Sequence, residues 1–134
     1  MRQAVACSAL VIGVLLISCG NIGGPFQRSP GEVVKAFYAA ANEGRYSDAE
    51  EMLAEDAKRA IKGELGQLAG GFKAICDKNT KDGTVDRLEI QKEETRGEGA
   101  SVVVKIYYKD GSTKDDDKNS LIKENGAWKL TFGD

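Results

Sequence analysis

Histidine is absent from this chain of 134 residues. That absence removes the commonest general base near neutral pH, every histidine-containing metal site, and any Ser-His-Asp or Cys-His nucleophilic arrangement. Cysteine is scarce, with three residues at Cys7, Cys19 and Cys76. Basic residues do not exceed acidic ones, 19 against 21, so the charge balance gives no reason to expect a nucleic-acid partner. No apolar run reaches the ~20 residues that a membrane-spanning helix needs. No internal repeat is visible.

What is present begins at the N-terminus. Arg2 supplies a positive start, Ala9-Leu10-Val11-Ile12-Gly13-Val14-Leu15-Leu16-Ile17 an apolar stretch, and Ser18-Cys19-Gly20 a small-residue cut site. That order describes a secretory signal. Leu16-Ile17-Ser18-Cys19 resembles the lipobox of bacterial lipoproteins. The resemblance implies that signal peptidase II cuts between Ser18 and Cys19 and that Cys19 becomes the lipid-carrying N-terminus. Each buried methylene of an acyl chain adds about 0.8 kcal/mol of membrane affinity, so several chains hold a domain firmly. In lipoproteins of double-membraned bacteria an Asp after the cysteine favours the inner membrane, and here Gly20 stands there. The expected location is therefore the cell envelope, lipid-anchored, on the outer membrane facing the periplasm if the host has two membranes.

This reading divides the chain into a signal over 1–18, a lipidated cysteine and tether over 19–28, and one domain over 29–134. Ile22-Gly23-Gly24-Pro25 in the tether has no periodic apolar pattern. The remaining body of about a hundred residues suits a single core. Of the basic residues only Arg2 precedes Cys19, and all 21 acidic residues follow it, leaving a body with a charge of about −3. With Cys7 removed and Cys19 lipidated, Cys76 has no partner for an internal disulfide. It follows Ile75 on a helical apolar face, which favours packing over a reactive thiol.

The body falls into a helical half and a strand half. Ser29-Pro30-Gly31-Glu32 is a helix start: Ser29 caps, Pro30 fits the first turn, and Glu32 stands at the capping-box position. Val33, Val34, Phe37, Ala40 and Ala41 recur at helical spacing, and Gly44 ends the run. A second short helix is expected from Tyr46 or Ser47 to Leu53. A third helical stretch starts near Asp56 and keeps its period through Ala57, Ala60, Ile61, Leu65, Leu68, Phe72, Ile75 and Cys76. Gly70-Gly71 predicts a break in it, followed by a short further helix.

From Thr84 the period becomes two. Asp86, Leu88 and Ile90 are expected on one side of a first strand. Val102, Val104, Ile106 and Tyr108 line one face of a second, with Ser101, Val103, Lys105 and Tyr107 opposite. Arg96-Gly97-Glu98-Gly99, Asp110-Gly111 and Asn125-Gly126 mark turns. The last strand places Trp128, Leu130 and Phe132 together. Helices before consecutive hairpins predict an α+β fold, with N-terminal helices packed on a four-stranded, mostly antiparallel sheet.

Ser29-Pro30 with Val33-Val34-Lys35-Ala36-Phe37-Tyr38-Ala39-Ala40, Gly44-Arg45-Tyr46 and Ala49-Glu50-Glu51-Met52-Leu53 resembles the opening of small exported domains of the nuclear-transport-factor-two-like superfamily. Leu121-Ile122-Lys123-Glu124-Asn125-Gly126-Ala127-Trp128-Lys129-Leu130 is similar to that group's closing hairpin, and the whole most resembles an uncharacterised branch of lipoproteins near the lumazine-binding-like domains. The resemblance implies a curved sheet wrapped around helices as a cone with a cavity. Ketosteroid isomerase and scytalone dehydratase share that fold, but a fold does not carry an activity with it. Scytalone dehydratase uses histidines, which are absent here. Asp86, Asp110, Tyr107 and Tyr108 are of the types ketosteroid isomerase uses, yet Asp86 and Asp110 sit at turn and strand ends where solvated carboxylates belong. No catalytic residue is assigned.

Lys114-Asp115-Asp116-Asp117-Lys118 lacks the loop spacing of a calcium site and reads as a solvated strand edge, so no metal or other cofactor is expected. Phe37, Tyr108, Trp128 and Phe132 are the candidates for a pocket or its filled core. The expected function is a non-catalytic binding module on the envelope. It is held to the membrane through lipid on Cys19 and takes a small apolar ligand or a protein partner. An isomerase- or dehydratase-like enzyme and an immunity or inhibitor protein are the alternatives. Cys19→Ala is expected to abolish incorporation of labelled palmitate and to move the chain out of the membrane fraction. Label retained by the variant would refute the assignment of Cys19.

Overall fold

The computed structural model describes residues 28–63, 67–68 and 70–132. The signal over 1–18, the Ser18–Cys19 junction, the tether up to residue 27, and Leu65 of the third helical stretch lie outside the described residues. The described chain runs α1 (Pro30–Asn42), α2 (Tyr46–Glu51), α3 (Glu55–Lys62), α4 (Phe72–Asn79), β1 (Val85–Arg96), β2 (Gly99–Tyr108), β3 (Thr113–Glu124) and β4 (Ala127–Thr131). The four strands form one antiparallel sheet in the order β1-β2-β3-β4. This is the α+β arrangement expected from helices followed by hairpins.

Local chemistry sets the ends of α1. The Ser29 hydroxyl accepts from the Glu32 amide at 3.2 Å, and Pro30 occupies the first turn, where its missing N–H costs nothing. At the other end the Arg45 amide donates to the Ala40 carbonyl at 2.8 Å and the Gly44 amide to the Ala41 carbonyl at 3.3 Å. This Schellman pattern needs a left-handed residue, and Gly44 has φ +80°. The buried stripe of α1 is Val33, Val34, Phe37, Ala40 and Ala41, and Tyr38 is buried beside it. Against it lie Val102, Val104, Ile106 and Tyr108 of β2 and Leu121 of β3. Each fully buried Val, Ile or Leu contributes ~1.5–3 kcal/mol, so this contact dominates the core.

Two connections fasten the helical half to the sheet. The Asn42 side chain donates to the Val85 carbonyl at 3.0 Å and accepts from the Val85 amide at 2.9 Å, standing in for a strand partner at the margin of β1. Leu53 bridges Leu130 in parallel: the Leu130 amide donates to the Met52 carbonyl at 2.8 Å and the Ala54 amide to the Leu130 carbonyl at 2.7 Å. Free backbone groups at a strand margin are thereby satisfied without a fifth strand.

Two details differ from the sequence expectation. The helix that begins at Glu55 ends at Lys62, with Gly63 extended, well before the predicted break. Only Ala57 of that helix is fully buried, so little packing opposes the cost of a helical glycine. The break at Gly70–Gly71 is also present, with φ +91° and +94°, and α4 follows it. In β1, register shifts fall between Val85 and Arg87 and between Ile90 and Lys92. The first shift turns Val85 inward and leaves Asp86 exposed, so Asp86 does not share the face of Leu88 and Ile90.

The turns follow their sequence signals. Asn125 and Gly126 take φ +52° and +81° in a two-residue hairpin, and Gly111 takes +90° in the β2–β3 turn. Cys76 is completely buried, and burial pushes its thiol up to about 11. Its carbonyl accepts from the buried Thr80 hydroxyl at 2.9 Å, which closes the end of α4. Among the described residues no helix is long and apolar enough to cross a membrane. Ile106→Ala is expected to cost ~2–5 kcal/mol, because it empties fully buried volume. Asn42→Ala is expected to cost ~1–3 kcal/mol by stranding two backbone groups. Urea unfolding midpoints of the two variants check both values.

Candidate functional site

A groove of about 410 Å³ opens between α1, α4 and the ends of β3 and β4. It exists because the strands are unequal. β4 pairs with β3 only from Ser120 to Glu124, whereas β3 runs back to Thr113. On the edge of β3 away from β2, no described strand pairs with residues 113–119. The gap is walled on its apolar side by Phe37, Leu53, Ile75, Leu130 and Phe132. Phe37 is held by edge contact with Tyr38 (ring centroids 5.9 Å apart) and by Phe72 of α4 at 6.4 Å.

The other end of the groove is polar, and a bulge builds it. Val104 pairs with Asp117, but Ile106 pairs with Lys114, so β3 carries one extra residue there. Asp116 absorbs the irregularity with φ +54°, a conformation that Asp tolerates better than most residues. As a result both Lys114 and Asp117 stand opposite inward-facing residues of β2. The Asp117 carboxylate accepts from the Tyr38 hydroxyl at 2.7 Å and from the Lys114 ammonium at 2.6 Å. The Asn119 amide reaches the same carboxylate at 3.4 Å and the Asp117 carbonyl at 3.3 Å. Only 15% of the Asp117 side chain is exposed, against 57% for Lys114. The run Lys114–Lys118, expected to be wholly solvated, therefore contributes one inward carboxylate.

This setting shifts two of its members. Burial first, then the hydrogen bond to Asp117 and the charge on that carboxylate, push the Tyr38 phenol far above its ordinary range. Lys114 is raised by its hydrogen bond to Asp117. Tyr38 is thus a neutral donor committed to the carboxylate. Asp117 keeps acceptor capacity, since a carboxylate offers about four lone-pair sites.

The sequence-nominated pocket residues separate. Phe37 and Phe132 line the groove; Phe37 is buried and Phe132 is half exposed at its mouth. Tyr108 is buried away from it, with the Lys81 ammonium 4.1 Å from its ring centroid. Trp128 is half-buried at the core margin under Lys123, at 5.3 Å, and does not line the groove. Tyr107 lies under the Arg87 guanidinium at 3.7 Å. Asp110 is exposed, and hydrogen bonds from Ser112 hold its carboxyl below the usual carboxylate range. Among the described residues no three metal-ligating side chains gather. Tyr38, Asp117 and Asn119 were not nominated. Tyr38 sits beside Phe37 in a helical run, and nothing local marks its partner 79 residues away.

A family model described as a domain of unknown function (DUF4878) matches residues 19–131. Solved structures give the same architecture. The chain is similar to a Campylobacter jejuni protein described as an NTF2-like transpeptidase, at 13% identity, over 77% of this chain and 97% of that one, with a TM-score of 0.57. It is similar to a Thiobacillus denitrificans protein described as a calcium/calmodulin-dependent protein kinase type II association domain, at 16% identity, over 79% and 92%, with a TM-score of 0.55. A Rhodopseudomonas palustris protein described as containing a SEC-C motif matches at 14% identity, over 87% of each chain, with a TM-score of 0.53. These likenesses show an NTF2-like fold. No curated protein matches.

Tyr38→Phe is expected to cost ~1.5–3 kcal/mol at neutral pH, the usual range for a hydrogen bond to a charged group. It also changes the alkaline limb. The phenol of the unfolded chain titrates near pH 10 and that of the folded chain well above it. Its contribution is therefore complete below about pH 10 and is lost as pH rises beyond. Urea midpoints between pH 8 and 11 should fall more steeply for the wild type than for Tyr38→Phe, while Cys76 contributes equally to both.

Proposed function

We propose that this chain, which belongs to the DUF4878 family of domains of unknown function and has an NTF2-like fold, is an envelope lipoprotein whose groove holds a small amphipathic ligand. One observation carries the reading: a groove of about 410 Å³, lined by both apolar and polar side chains, holds a single carboxylate, Asp117, fixed by Tyr38. Ligand sites are typically clefts of ~300–1,000 Å³ with apolar walls and a few placed polar groups. An apolar chain or ring would cover Phe37, Leu53, Ile75, Leu130 and Phe132, and its polar end would meet Asp117 and Asn119.

The anchor is part of the same proposal. The family match starts at Cys19, the residue that the lipobox resemblance makes the mature N-terminus. The residues between Cys19 and Ser29 reach at most ~35 Å even when fully extended, so the groove would work close to the membrane surface. Binding is favoured over isomerisation or dehydration because the Tyr38 phenol, which such chemistry would use as a proton donor, gives its proton to Asp117.

N-phenyl-1-naphthylamine, an uncharged aromatic probe that brightens in apolar surroundings, tests the groove. Titrated into the purified full chain, it is expected to brighten saturably. Asn79→Trp should remove that signal by filling the groove from an exposed position without disturbing the core. Equal brightening of wild type and Asn79→Trp would overturn the reading.

A further inference from the structure

The charge balance around Asp117 narrows the ligand class, resting on the binding role just proposed. We infer that the groove selects an uncharged amphiphile, an apolar body ending in a hydroxyl or an amide N–H, and that Asp117 is the specificity-determining acceptor for that end.

Three observations support this. First, the Tyr38 and Asn119 donors beside Asp117 are committed. Tyr38 gives its only proton to Asp117, and the Asn119 amide is engaged with the Asp117 carbonyl and carboxylate. The carboxylate, with bonds from Tyr38 and Asn119 on Oδ2 and one from Lys114 on Oδ1, still has a lone pair to offer on Oδ1. Asp117 itself therefore offers an acceptor site, and a ligand end that meets it brings a donor. Second, the charge on Asp117 is already balanced. The Lys114 ammonium, 2.6 Å from Asp117, leaves the pair neutral. An anionic head would meet the carboxylate directly. A cationic head would have to displace Lys114 or place a second positive charge beside it, with Lys118 also bordering the groove. A neutral donor meets neither penalty. Third, the setting is pre-organised. The bulge at Asp116 orients Asp117 inward, and the buried Tyr38 hydroxyl holds it there, so little ordering is left for the ligand to bring about.

The selectivity lies in the Lys114–Asp117 balance, so shifting that balance should shift the preference. The test uses the full chain and three water-soluble probes of equal chain length, 1-hexanol, hexanoate and hexylammonium, followed through the methyl resonances of Ile75 and Leu130. The wild type should bind 1-hexanol about tenfold more tightly than either ion, the factor set by ~1.4 kcal/mol of uncompensated charge. Lys114→Gln, at an exposed position that leaves the core intact, should make hexylammonium the preferred probe. Asp117→Asn should move the preference to hexanoate. Equal binding of all three probes, or an unchanged order in Lys114→Gln, would overturn the selectivity while leaving groove binding in place. Failure of every probe to perturb Ile75 and Leu130 would remove both proposals.

Discussion

The packing of one helix against one strand organises this protein. Val33, Val34, Phe37, Ala40 and Ala41 of α1 are buried over the alternating Val102, Val104, Ile106 and Tyr108 of β2. The two periods, 3.6 in the helix and two in the strand, each present a single apolar face, and the two faces meet in one core. The remaining contacts orient this one. Asn42 ties the end of α1 to β1, and the Leu53–Leu130 bridge ties the chain after α2 to β4.

The groove arises where that regularity stops. A fourth strand as long as the third would have covered residues 113–119 and closed the opening against α1. Instead β4 ends at Thr131, and the bulge at Asp116 turns a carboxylate into the space. Burying an unpaired carboxylate would be costly, and the structure meets that cost with the Tyr38 hydroxyl and the Lys114 ammonium. Apolar walls and one satisfied acid at the end make a surface suited to recognition.

Features governed by neighbours in sequence were legible before the structure. The Ser29–Pro30–Glu32 helix start, the Asn125-Gly126 turn and the alternation from Val102 to Tyr108 each depend on a few adjacent residues, and each is present. Features governed by a partner strand were not. A bulge moves every following side chain to the other face, and whether one forms depends on the facing strand. That is why Asp86 leaves the face its alternation predicts and why nothing in a run of three aspartates singles out Asp117. The groove was half visible for the same reason. Phe37 and Phe132 stood out as aromatics in periodic elements, whereas Tyr38 acquires its meaning only from a residue on β3.

The shortness of the strand connections has a kinetic consequence. Turns such as Glu124–Ala127 join neighbours in sequence, so each hairpin closes at small entropic cost. The Asn42–Val85 clasp spans 43 residues and the Tyr38–Asp117 bond 79, and such distant pairings close slowly. The sheet can assemble from local pieces, with docking of α1 completing the structure. Because the groove is bounded by α1 on one side and β3 on the other, it comes into being only at that last step. A ligand that needs both walls would bind only the assembled groove and stabilise the fold by RT ln(1 + L/Kd), where L is the free ligand concentration.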